Sequence, residues 1–113
     1  MHLSFANKWL ERQCEMSVIA RGVWGNDAAV VQRRLKQLEA APNLAMFQRM
    51  PARLRIVALD GCDPPQFQLA VVGPLMIYLM ATTPDGDPVV EALLEPSAIT
   101  AVRILRIEAS RAH

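Results

Sequence analysis

The side chains best suited to chemistry in this sequence are its cations, and they are unevenly distributed. Residues 1–55 hold nine Lys/Arg against four Asp/Glu, residues 56–100 hold none against six, and residues 101–113 hold three against one. A basic segment of this kind can bind a phosphate backbone or an acidic partner. The more ordinary explanation for most of these charges is the solvated face of an amphipathic helix.

Other kinds of site are not indicated. Cys14 and Cys62 form neither a metal-ligand spacing nor a disulfide framework, so we expect no metal, no cofactor and a reducing, cytoplasmic environment. No apolar run approaches the length of a membrane span, so we expect no membrane partner. With 52% apolar residues, the 113-residue chain predicts one folded domain over residues 1–113.

The first half of the chain predicts a strand and two helices. HLSF, residues 2–5, is short and alternating, which is typical of an edge strand. A helix begins at Asn7, and we expect Gly22 and Gly25 to break it. Trp9 and Trp24 are expected to pack within this helical hairpin, with base stacking as a second interpretation.

A second helix is predicted over residues 28–41. Asn26-Asp27 supplies an N-cap, because a side-chain oxygen can accept the unpaired amides of the first turn. The spacing of Val31, Leu35 and Leu38 places them on one buried face. Pro42-Asn43 ends the helix, so the first half predicts a helical hairpin.

The second half has the period of strands. Gly73-Pro74 joins two apolar runs into a hairpin whose turn needs the positive φ that glycine adopts, and VVEALL (89–94) predicts one helical turn. The predicted strands are 53–59, 66–72, 75–81 and 99–108. The order β-α-α-β-β-β-β predicts an α+β, two-layer sandwich in which the helical hairpin packs on a mostly antiparallel sheet.

Strand alternation predicts which side chains share a face of that sheet. Met76, Tyr78 and Met80 fall on one face, and if helices do not cover it, that patch is expected to bind a partner or a second copy in a homodimer. Arg103 and Arg106 differ by three positions, so alternation places them on opposite faces. Irregular alternation in 99–108 is expected of a strand covered on both sides.

Two segments give the sequence a resemblance to a known family. LKQLEAAPNLAMFQRMPARLRIVALDG (35–61) and ITAVRILRIE (99–108) resemble the helix-to-strand junction and last strand of the RelE/HigB-type toxins, the plasmid-maintenance killer proteins of toxin–antitoxin systems. The resemblance covers nearly the whole chain in the same element order. It implies a RelE-like fold, a metal-independent endoribonuclease that cuts mRNA on the ribosome, and a cognate antitoxin as partner.

The positions that carry catalysis in that family are mostly substituted here. The family reaction is attack of a ribose 2′-hydroxyl on the adjacent phosphate, which needs proton transfer and cations at the phosphate. The family's His position falls on Val57, and the hairpin's Arg falls on Met76. The basic turn falls on Asp60, Asp63 and Pro64, and the terminal Asp-Tyr-His falls on Ala109, Ser110 and Arg111. The resemblance therefore predicts weakened or lost endoribonuclease activity.

Four residues remain as catalytic candidates. His113 is a candidate general acid, Arg111 a phosphate clamp, and Arg53 and Arg55 candidate RNA contacts. Each has a more ordinary explanation, as a solvated tail residue for the first two and as a sheet-surface charge or antitoxin contact for the others.

Three hypotheses stay open at this point. The first is a RelE/HigB-like toxin with a degenerate site, and the second is a non-catalytic binding protein that keeps the fold to engage an antitoxin or an RNA surface. The third is an altered cation set that still cuts RNA, built from Arg53, Arg55, Arg103 and Arg111.

Overall fold

The computed structural model describes residues 1–51, 55–59, 61–62, 64–90 and 95–109. Short 3₁₀ turns lie at Gly25–Asp27 and Pro96–Ala98. The helices are α1 (Lys8–Glu15), α2 (Ser17–Trp24), α3 (Ala28–Ala40) and α4 (Ala45–Gln48). The strands are β1 (His2–Phe5), β2 (Val57–Leu59), β3 (Gln66–Val72), β4 (Leu75–Thr82) and β5 (Ala101–Ala109).

The strands form one sheet in the order β1-β5-β4-β3-β2. β1 pairs with β5 in parallel, and the other three pairs are antiparallel. The mixed α+β class with a mostly antiparallel sheet is therefore confirmed, as is the edge position of residues 2–5. The strand predicted over 53–59 is observed at Val57–Leu59, and residues 53 and 54 lie outside the described part of the chain.

The apolar hairpin holds the middle of the sheet. β4 is the central strand, and most of its residues are buried, which explains why 75–82 carries no charge. Its turn depends on Gly73, whose φ of 53° lies in the left-handed region. Phe67 faces Leu79 and Leu69 faces Ile77 across the pair, on the face that packs against the helices.

The first predicted helix is two helices. α1 ends at Glu15 because Met16 takes an extended conformation, with φ −99° and ψ 111°, and α2 starts at the next residue. The prediction that Gly22 breaks the helix is wrong: Gly22 lies inside α2, and Gly25, with φ 57°, ends it. A glycine weakens a helix interior without forbidding it, whereas a left-handed residue ends it.

The helix N-termini differ in how they are capped. The side-chain oxygen of Asn7 accepts the Leu10 amide at 2.8 Å, so the first predicted start is confirmed. Asp27 occupies the N-cap position of α3, but its side chain makes no capping hydrogen bond. Val31, Leu35 and Leu38 are buried on one face of α3, as predicted.

The two tryptophans behave differently. Trp24 is half-buried and packs against the core, whereas Trp9 is 57% exposed, so its predicted packing in the helical hairpin is wrong. Helical spacing alone does not identify the solvent face of a short helix, and α1 buries Leu10 and Cys14 instead. Of the predicted helical turn at 89–94, Val89 and Val90 are not helical and 91–94 lie outside the described ranges.

The amino group of Met1, just before β1, hydrogen-bonds to main-chain carbonyls at the end of α3. It donates to the Glu39 carbonyl at 2.6 Å and also to the carbonyls of Leu38 and Ala41. The last carbonyls of a helix lack partners within it and carry partial negative charge, so a cation there is favourable. This contact joins the start of the edge strand to the C-terminal end of α3.

Candidate functional site

A β-bulge in β5 determines where the arginines of the last strand lie. Tyr78 pairs with Arg106 and Leu79 pairs with Ile104, so Leu105 has no partner residue on β4. An extra residue reverses the inside–outside alternation beyond it. Arg103 pairs with Met80 and Arg106 with Tyr78, and these two β4 residues share a face.

Arg103 and Arg106 therefore lie on the same face, and the prediction of opposite faces is wrong. The irregular alternation of 99–108 comes from the bulge rather than from burial on both sides. We call the face opposite the helices the open face. Its central residues are Gln66, Gln68, Met76, Tyr78, Met80, Arg103 and Arg106.

Arg106 is held by three neighbours on this face. Its guanidinium carbon lies 4.1 Å from the centroid of the Tyr78 ring, within cation–π range. Its Nε donates to Glu108 Oε1 at 3.0 Å, and its Nη1 donates to Gln66 Oε1 at 3.5 Å. Because the Arg106 and Glu108 side chains are 43% and 55% exposed, the ion pair adds little stability but partly neutralises the charge.

Arg103 connects the open face to the acidic loop after β4. Its Nη2 donates to the carbonyl oxygen of Gly86. Gly86 sits in a tight turn, where its amide donates to Thr83 at 2.9 Å and its φ is 93°. Among the described residues Arg103 has no carboxylate partner, although Asp85 and Asp87 flank the glycine.

The shared face of Met76, Tyr78 and Met80 is confirmed, and no described helix covers it. Tyr78 and Met80 are nevertheless only 7% exposed, and Met76 is half-buried. The expected exposed apolar patch is therefore not observed, and at Tyr78 the covering group is the Arg106 guanidinium. A homodimer stays a prediction without that patch to support it.

One of the four catalytic candidates, Arg55, lies in the described part of the structure. Arg53, Arg111 and His113 lie outside the described residues. Arg55 is exposed just before β2, and its Nε donates to the Met50 carbonyl at 3.2 Å.

Two of the substituted family positions, Val57 and Met76, lie on the open face with the arginines. Val57 pairs with Gln68, Gln68 with Tyr78, and Tyr78 with Arg106, which forms one row across four strands of the open face. Met76 pairs with Glu108 in a neighbouring row. Gln66 and Gln68 were not predicted to be site residues, although their alternation with Phe67 and Leu69 in QFQL is a visible signal of a polar strand face.

Proton carriers are sparse on the described part of this face. His2 lies there, opposite Ala101, which is five residues before Arg106 on β5. At the strand rise of about 3.3 Å per residue, His2 is about 16 Å along the sheet from Arg106. Tyr78 is buried beneath the guanidinium. The row can bind an anion and stack a planar group, and the candidate general base beside it, the Glu108 carboxylate, is paired with Arg106.

Cys14 is not a nucleophile in this structure. It is buried, and that burial, with a further contribution from the Glu15 carboxylate, raises the pKa of its thiol to about 12. The reactive thiolate is therefore scarce near neutral pH.

The described ranges hold neither a candidate metal site nor a candidate membrane-spanning helix. No group of three or more His, Cys, Asp or Glu side chains there is arranged to hold a metal ion. None of the described helices has both the length and the apolar character that crossing a bilayer requires.

Comparison with known proteins adds no assignment. The chain matches no protein-family model, no curated protein and no solved structure. Its function must therefore be argued from the open face itself and from the resemblance of its sequence segments.

Proposed function

We propose that the chain is a RelE/HigB-like toxin component of a toxin–antitoxin pair, with an RNA-binding open face and weakened or lost endoribonuclease activity. Its partners would be a cognate antitoxin and mRNA on the ribosome. The supporting observation is the row Val57–Gln68–Tyr78–Arg106, because it combines Val57, which falls at the family's His position, with a cation and an aromatic ring.

The chemistry of the row favours binding over cleavage. Arginine binds phosphate through a planar set of donors, and its guanidinium plane can also stack on an unpaired base. Gln66 and Gln68 add amide groups that can donate to and accept from base edges. Val57 and Met76 offer neither a proton nor a positive charge, and losing one such group costs about 10²–10³ in rate.

A non-catalytic binding protein is the second candidate, and one observation favours it. Glu108 pairs with Arg106 and thereby lowers the net positive charge at the centre of the row. A transition state that gains negative charge on its phosphate would benefit less from such a compensated arginine than from a bare one.

The RNA part of the proposal is tested by binding. A labelled single-stranded RNA should bind the full chain, and Arg103→Ala/Arg106→Ala should weaken that binding by about tenfold while reducing its salt dependence. Arg21→Ala removes an exposed arginine of α2 and is the matched control. Unchanged affinity in the double variant would exclude the open face as the RNA surface.

Expression of the chain alone separates the candidate functions. Growth arrest relieved by Arg53→Ala/Arg55→Ala or Arg111→Ala would indicate a working ribonuclease built from an altered cation set. Normal growth with the folded chain present would support the non-catalytic candidate, and RNA binding would then distinguish an RNA binder from a protein that engages only an antitoxin.

A further inference from the structure

The outer edge of β1 has unpaired main-chain groups. The amides of His2 and Ala6 donate inward, to Thr100 and Ile104, at 2.9 Å each. Because successive residues of a strand direct their main-chain groups to opposite sides, Leu3 and Phe5 present theirs to the outer edge. No other described residue hydrogen-bonds to the main chain of Leu3 or Phe5 there, and β1 is the last strand of the sheet.

A groove runs beside this edge on the helix side. Its volume is about 630 Å³, and its apolar lining comes from Leu3 and Phe5 of β1 with Cys14 and Leu35 of the helices. A strand added to β1 would direct every second side chain into this groove, because paired strands align their alternation.

The groove also carries charge. Arg33 and Lys36 line it, and neither makes an ion pair or hydrogen bond to another described residue. They are three residues apart on α3, so they are neighbours on the helix surface. Glu15 and Glu39 also line the groove, and Glu39 lies three residues beyond Lys36 on α3, whereas Arg33 has no acidic residue three or four positions away on that helix.

We propose that the outer edge of β1 binds an extended segment of a partner protein, which adds a sixth strand to the sheet. The groove-facing side chains of that segment are apolar, acidic and apolar in turn. Its main chain pairs with Leu3 and Phe5, its apolar side chains enter the groove, and its carboxylate meets Arg33 and Lys36.

Other occupants satisfy these features less completely. A small molecule can fill the groove but does not pair with a row of main-chain groups. A second copy of β1 would present Leu3 and Phe5, and HLSF contains no acid to meet Arg33 and Lys36. The inference is independent of the open face, because it holds whether or not the chain binds or cuts RNA.

Two synthetic peptides test it, acetyl-TVTETVT-amide and acetyl-TVTKTVT-amide. Their side-chain pattern reads the same in both directions, so the test does not depend on strand direction. The acidic peptide should slow amide hydrogen exchange at Leu3 and Phe5, while Ser4, which points inward, changes little. The lysine peptide should bind about two- to fivefold more weakly.

Variants separate the contribution of the groove's charges to peptide binding from the contribution of main-chain pairing at the edge of β1. Arg33→Glu/Lys36→Glu should reverse the preference between the two peptides, and Arg21→Glu, on α2 outside the groove, should not. If Arg33→Glu/Lys36→Glu does not fold, the comparison of the two peptides on the wild-type chain still tests the proposal.

Three results would overturn the proposal. The first is unchanged exchange at Leu3 and Phe5 with the acidic peptide at saturating concentration. The second is equal binding of both peptides. The third is concentration-dependent protection of Leu3 and Phe5 without peptide, which would mean that a second copy of the chain occupies the edge.

Discussion

Arg106 lies over the ring of Tyr78, with 4.1 Å between the guanidinium carbon and the ring centroid, on neighbouring strands β5 and β4. The pair exists because Leu105 bulges out of β5 and turns Arg106 to the open face. Without that extra residue, alternation from Arg103 would direct Arg106 into the apolar core, where an unpaired charge is costly.

Removing the guanidinium should expose Tyr78. We expect Arg106→Ala to lower the free energy of unfolding by about 1 kcal/mol, since it removes a cation–π contact and an exposed ion pair. Arg106→Lys keeps the charge and should lose about half as much. Urea denaturation measures both, and equal stability of wild type and Arg106→Ala would show that the stacking contributes nothing.

Gly86 should resist substitution. Its φ of 93° lies where L side chains are strained, and an added Cβ would lie 3.6 Å from Nη2 of Arg103. Gly86→Ala should therefore destabilise the chain by about 1–2 kcal/mol.

Gly22→Ala is the matched control for Gly86→Ala, because Gly22 lies inside α2 with nothing within 4 Å of its added Cβ. It should stabilise the chain by about 0.5–1 kcal/mol. Thermal or urea unfolding of the two variants should show opposite signs, and equal signs would contradict the backbone argument.

Restoring the family residues tests the proposed origin of the site. Val57→His/Met76→Arg places a proton carrier and a cation on the open face, next to Gln68 and Glu108 respectively. If the chain is a degenerate toxin, cleavage of single-stranded RNA should rise by about 10²-fold.

The control for Val57→His/Met76→Arg makes the same two residue replacements, Val to His and Met to Arg, outside the open face. Val23→His/Met46→Arg alters two exposed residues on α2 and α4. If the restored variant cuts RNA no faster than this control, the toxin resemblance does not extend to the active site.

The Cys14 thiol predicts a loss of stability at alkaline pH. Its folded pKa of about 12 exceeds the ordinary value of 9.0, so above the latter the unfolded chain releases a proton that the folded chain keeps. Stability from this group is complete below pH 9.0 and falls as pH rises toward 12.

The slope in that window should approach about 1.4 kcal/mol per pH unit. Cys14→Ala should be less stable at neutral pH, because it leaves a small cavity, yet lose less stability between about pH 8 and about pH 10.5. Parallel pH profiles for the two chains would show that the thiol ionises equally in both states.

Periodicity was a reliable guide where one face of an element is buried. The helix at 28–40 and the hairpin strands at 66–72 and 75–82 follow directly from their apolar spacing. The break at Met16 was not predictable in the same way, because neither Met16 nor its neighbours is a helix-breaking residue. Leu105 bulges for reasons of pairing geometry, which no pattern within β5 displays.

The candidate site was harder to predict than the fold because it depends on the bulge at Leu105. Strand alternation predicted that Arg103 and Arg106 lie on opposite faces of the sheet, although both were singled out as candidate cations. The contacts of Arg106 with Tyr78 and Gln66 join β5 to a hairpin that lies far from it in sequence, Gln66 being 40 positions before Arg106. Only the register of the sheet brings them together.

The parallel pairing of β1 with β5 also sets the order of events during synthesis. Ser4 and Val102, in contact across this pair, are 98 positions apart, so β1 leaves the ribosome long before its neighbouring strand β5 is translated. β5 lies between β1 and β4, so a nascent chain lacking it has an isolated first strand and a hairpin with an open side. Any partner that binds the five-stranded sheet must therefore wait until β5 has been translated.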